Sequence, residues 1–190
     1  MHQLARILLF GAMFLVAACS METALDKLVS TEDRAFAQRF VADVRTGDME
    51  ALKPHFDEAL WLKSVEQLPK ARTYFPAGEG TTRLIGYNVS TNLENGASTS
   101  SKEYILITAA EQHWTRTRIV TLARNGPARV VEWNVDGFNE PPPELRLYES
   151  WERIVPWVQA GLAFVLLGFA ALIWWLVRRS RRRAAGAGGA

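Results

Sequence analysis

Apolar residues change their spacing three times along this chain. A short apolar run, Ile7–Val16, gives way to helical spacing at Phe36, Phe40 and Val44, then to alternating stretches rich in Thr, Val, Ile, Tyr and Trp, and finally to the charge-free run Val158–Val177. Each spacing predicts one kind of element, because side chains return to the same face every 3.6 residues or so in a helix and every second residue in a strand.

Ser30-Thr-Glu-Asp33 is a capping-box-like start, and Thr46-Gly47 is a stop, so the first helix runs between them. Asp48 caps a short turn through Met49 and Leu52 that Pro54 ends. Asp57 opens a third helix in which Trp61, Val65 and Leu68 share a face, and Pro69 closes it. After Gly80 the alternation predicts four strands, Thr81–Thr91, Lys102–Ala110, His113–Ala123 and Ala128–Gly137, with a polar loop over Asn92–Ser101. Asn125-Gly126 is a hairpin signal joining the last two. Helices first and a meander afterwards predict an α+β domain, N-terminal helices packed on one face of a four-stranded antiparallel sheet.

The two ends point to membranes. Ile7–Val16 follows Arg6, is too short to span a bilayer and has the length of a signal-peptide core. Val16-Ala17-Ala18-Cys19 resembles a bacterial lipobox, which implies cleavage before Cys19 and a lipid on its thiol. Val158–Val177 holds Gln159 as its one polar residue and at helical rise covers about 30 Å, the thickness of a hydrocarbon core. Trp151 and Trp157 before it and Trp174 and Trp175 near its end suit the two interfaces. Arg178, Arg179, Arg181, Arg182 and Arg183 follow, and arginine beside a span stays cytoplasmic, so the domain is expected outside the cytoplasm, on a bacterial inner membrane. The expected organisation is a lipoprotein-type signal peptide over 1–18, a tether over 19–30, the α+β domain over 31–138, a Pro-rich linker over 139–156 containing Pro141-Pro142-Pro143, a transmembrane helix over 157–177 and an Arg-rich tail over 178–190.

Charge then reads differently from the total of +2. Setting aside Arg6 and the five tail arginines leaves 16 basic residues against 20 acidic ones, a net charge of −4. That sign opposes binding to phosphate backbones, so nucleic acid is not an expected partner. One cysteine allows no internal disulfide and no thiolate metal site, and no cofactor motif occurs.

The element order, with Gly47-Asp48-Met-Glu-Ala-Leu52 after the first helix and the apolar strand Arg129-Val-Val-Glu-Trp-Asn-Val-Asp-Gly137 at the end, resembles the nuclear transport factor two-like superfamily of cone-shaped α+β domains. The resemblance covers roughly Thr31 to Phe138 and implies an internal cavity; members include enzymes, ligand carriers and assembly factors. Function does not follow from fold alone.

Candidate chemistry is sparse. His55 follows Pro54 in a polar turn and reads as a surface residue, and His113 beside Trp114 is a pocket candidate. No nucleophile, base and orienter assemble from spacing, so catalysis is not the leading expectation. Alternation puts Trp114, Arg116, Arg118, Val120 and Leu122 on one strand face. A two-residue turn at Asn125-Gly126 would set Val131, Trp133 and Val135 beside those arginines, whereas a bulge would bring Glu132 and Asp136 there. The first arrangement makes Arg116, Arg118 and Trp133 an anion-binding cavity mouth. Cross-strand ion pairing is the alternative. The leading functional expectation is a non-catalytic accessory or binding module whose partners are the bilayer and an inner-membrane protein. Small-molecule or lipid handling in the cone, and a purely structural tether, are the competing ones.

Overall fold

The computed structural model describes residues 21–187 apart from 79, 95, 96 and 125, with backbone only at 94, 97, 176, 177 and 179–187. The expected signal peptide, Cys19 and the Asn125 half of the hairpin turn lie outside the described residues. Two compact units divide the chain, and the α+β domain is Glu22–Glu149.

The capping residues set the helix starts. Ser30 is extended and its Oγ accepts from the Asp33 amide at 3.0 Å, opening α2 (Thr31–Thr46), which follows α1 (Met21–Leu28). Gly47 ends α2 at φ 79°, the left-handed conformation that glycine adopts without a side-chain clash. Asp48 caps α3 (Met49–Leu52), which tightens into a 3-10 turn over Lys53–His55, and Asp57 caps α4 (Glu58–Arg72). Two details depart from expectation. Residues expected as a tether form α1, because Leu25 and Val29 are spaced to bury together and do so. Pro69 does not stop α4, and Val65 is exposed, so the buried stripe is Ser64, Leu68 and Ala71.

The sheet is a meander of β1 (Thr81–Glu94), β2 (Ala97–Ala110), β3 (His113–Arg124) and β4 (Arg129–Phe138), antiparallel throughout. The expected polar loop Asn92–Ser101 is largely hairpin arm, with Asn92 paired to Thr99 and Leu93 to Ser98. Backbone pairing needs no apolar alternation where both faces meet water, so hydropathy does not mark this arm.

One face of the sheet carries α2 and α4. Tyr104, Leu106, Thr108, Thr115, Thr117, Ile119 and Val130 are buried there against Phe40, Val44, Leu52 and Leu68. The opposite face is not bare. A bulge between Leu84 and Gly86 turns Ile85 outward, where it packs with Ile107 and Leu145, and Ile105, Trp114 and Tyr148 surround them. Leu145 and Tyr148 come from the first turns of α5 (Pro143–Ala187), so the domain extends past Phe138 and the helix begins inside the stretch expected as linker. Asn139–Pro142 is the non-helical remainder, and the Pro142 carbonyl accepts the Leu145 amide at 3.0 Å.

From Ser150 onward α5 belongs to the other unit. It is long and apolar enough to cross a membrane, and Trp157, Phe164, Leu167 and Trp174 are all well exposed. The Arg178 guanidinium lies 5.0 Å from the Trp174 ring centroid. The architecture is an α+β domain of helices on a four-stranded antiparallel sheet, followed by one candidate membrane-spanning helix.

Candidate functional site

The helix-covered face holds the most organised polar group of the domain. Asp33 sits in the first turn of α2, where the helix dipole favours a carboxylate. Tyr87 and Tyr104 are direct cross-strand partners on β1 and β2, and Lys102 lies two residues from Tyr104 on the same face. All three reach one carboxylate: Lys102 Nζ is 2.8 Å from both oxygens, the Tyr104 hydroxyl donates to Oδ1 at 2.9 Å and the Tyr87 hydroxyl to Oδ2 at 3.0 Å. Burial pushes the Asp33 carboxyl up, but the bonds from Lys102, Tyr104, Ser30 and Tyr87 outweigh it and hold the group below its ordinary value. The tyrosines respond oppositely. Burial and the adjacent carboxylate push Tyr87 up to about 12 and Tyr104 higher still. Both phenols are therefore fixed as neutral donors to an ionised acceptor.

Beside this group the space between helices and sheet is filled by rings. Phe36, Phe40, Phe56, Trp61, Tyr104 and Trp133 pack ring against ring, tilted in most pairs and edge to face at Trp133 with Phe40 and Phe56, with centroid separations from 5.5 Å for Phe56–Trp61 to 6.4 Å for Phe40–Trp133. Trp133 Nε1 donates to the buried Ser64 hydroxyl at 2.8 Å. The His55 ring stands edge-on to Phe36 at 5.2 Å, half-buried and not the solvated residue that its turn suggested. Burial lowers its pKa, and burial together with Asp48 raises that of Asp43.

Arg116 and Arg118 point from the other face, so they do not meet Trp133. The register explains why. A bulge after Val130 pairs Val120 with Glu132, Ile119 with Trp133 and Arg116 with Asp136. This is the bulged alternative, and Trp133 turns inward as Glu132 and Asp136 turn toward the arginines. Arg118 bridges Glu103, at 2.5 Å, and Glu132. Arg116 bridges Asp136 at 2.7 Å and Glu144 of α5 at 2.5 Å, and its guanidinium lies 5.5 Å from the Phe138 ring centroid. Hydrogen bonds to carboxylates raise both arginine pKa values, through Asp136 first for Arg116 and Glu103 first for Arg118. The two guanidiniums are paired with four carboxylates, which opposes capture of a free anion.

His113 is exposed at the start of β3, at the rim of an open cleft of about 430 Å³ that Tyr74, Phe75, Trp114 and Phe138 also line. The four pocket candidates from sequence thus occupy three places: an ion-pair ladder, a ring cluster and a cleft rim. The group that alternation did not single out is Asp33, Lys102, Tyr87 and Tyr104. Its signal was present in part, since Asp33 belongs to the capping box and the tyrosines to alternating strands, but the pairing of Tyr87 with Tyr104 depends on the β1 bulge. No protein-family model, curated protein or solved structure matches this chain.

Proposed function

We propose that this chain is a membrane-anchored accessory or binding protein without catalytic chemistry, its α+β domain held at the outer face of a bacterial inner membrane. The observation that carries the reading is the stretch of α5 from Trp157 to Trp175, whose apolar side chains are exposed along a helix long enough to span, with arginines directly after it. Lipid is the solvent that removes this exposed surface from water. The arginines favour a cytoplasmic C-terminus, and a lipid on Cys19 would add a second anchor. The ring-filled space between helices and sheet favours this reading over ligand uptake into a cone. The likeness to the nuclear transport factor two-like superfamily is a proposal about ancestry on the same footing, supported by helices preceding a meander.

The test begins with topology. Protease added to spheroplasts should digest the domain and spare the tail, and the chain should resist alkaline extraction from membranes; a protected domain would overturn the orientation. In-cell cross-linking and mass spectrometry, with a variant carrying an unrelated spanning helix alongside, then asks for the partner. A membrane protein captured by both forms supports a domain-borne contact, whereas a defined small molecule extracted from the purified chain would favour the ligand-handling alternative. Metabolic palmitate labelling lost in Cys19→Ala tests the lipid.

A further inference from the structure

The two edges of the sheet are defended unequally. β4 carries a bulge at Val131, charged residues at Arg129, Glu132 and Asp136, and a bridge from Phe56 to Val130 that occupies part of its free side. These are the usual means of keeping an edge strand from recruiting another. Among the described residues β1 has a strand neighbour on one side only, and from Asn88 to Leu93 it is exposed, regularly paired to β2, and free of charge, proline and bulge. Val89 and Leu93 stand out on this arm at 46% and 72% exposure. Thr91 lies between them on the same face, because alternate residues share a side.

That spacing is self-complementary. We propose that Asn88–Leu93 pairs antiparallel with the same segment of a second copy of this chain, with Thr91 on the two-fold axis. In this register Val89 lies opposite the second copy's Leu93, and Leu93 opposite its Val89, so each exposed apolar side chain gains an apolar cross-strand partner. On the other face Ser90 meets Asn92 twice, and no like charges are brought together. Strand addition satisfies the free backbone groups of the arm and joins two four-stranded sheets edge to edge. The paired segment is only about 20 Å long, so the contact is a weak one by area.

Weak pairing is best trapped inside cells. With Thr91→Cys in the full-length chain, mild oxidation should form a dimer, since directly opposed residues lie within disulfide reach. Asn88→Cys places the two sulfurs far apart along the strands and should give about tenfold less dimer or none. The parent chain, which retains Cys19, sets the background, and peptide mapping must assign the bond to position 91 in both copies. Adding Val89→Gln and Leu93→Lys to Thr91→Cys should abolish the product while the thermal midpoint stays unchanged, because both side chains are exposed and neither change sets a like charge opposite Lys102. Equal cross-linking at positions 88 and 91, or no dimer with Thr91→Cys, overturns the proposal. A disulfide from position 91 to a different polypeptide overturns it in favour of strand donation by another protein.

Discussion

The two faces of the sheet are built from the same strands on opposite principles. On the helix-covered face, rings and aliphatic side chains pack beside one fully bonded carboxylate, Asp33. On the other, Arg116 and Arg118 lie in a row of carboxylates that water still reaches, and the apolar contact is confined to Ile85, Ile107 and Leu145. Removing atoms where nothing can refill the space costs far more than loosening ion pairs that water can replace. Stability should therefore be concentrated on the first face, and adaptable surface on the second.

Phe40→Ala should give the largest effect, about 4 kcal/mol, because its fully buried ring touches Phe36, Phe56 and Trp133. Denaturant unfolding of the full chain in micelles measures it, and a loss below that of an outer-face variant would break the contrast. Asp33→Ala comes next at about 3 kcal/mol, since it strands Lys102 and two tyrosine hydroxyls at once. Leu145→Ala should cost about 2 kcal/mol, as its pocket is small and near solvent. Arg118→Ala should fall below about 1 kcal/mol, its side chain being 39% exposed.

Titration sharpens the same contrast. The Asp33 carboxyl is held below its ordinary value in the fold, so its contribution is complete above the usual carboxylate range and is lost as pH falls through the lowered value. Tyr87 is raised to about 12, so its contribution is complete below about 10, the ordinary phenol value, and is lost as pH rises toward 12. Stability measured against pH should drop at both extremes, and Asp33→Asn should flatten the acid limb.

Much of the fold was legible because its signals are local. Ser30, Asp48 and Asp57 cap helices through bonds to amides three residues on, and such contacts need no knowledge of the tertiary structure. The candidate spanning helix was legible for the same reason, its composition sufficing. The expected grouping of Arg116, Arg118 and Trp133 failed because β3 carries misleading hydropathy. Its buried face is Thr115, Thr117, Ile119 and Thr121, whereas Trp114, Val120 and Leu122 share the side with the arginines. Neither set is decisively apolar, so the choice of face passes to the register of β4. A bulge at Val131, invisible in the spacing, decides it. The packing of Leu145 on the outer face was hidden for a related reason, since three prolines before it read as the start of a stiff spacer and not as the approach to a packed helix.

The bulge at Ile85 has a genetic consequence. Leu84 pairs with Leu106 and Gly86 with Ile105, so Ile85 is an uncounted residue in a ladder that otherwise counts by twos. Loss of its codon would leave every cross-strand partnership of β1 intact, at the expense of the contact with Ile107 and Leu145. Loss of a codon several residues away, such as that of Ser90, would instead exchange inward and outward residues over the stretch between it and the bulge. A scan of single-codon deletions through β1 should find its tolerance centred on the bulge.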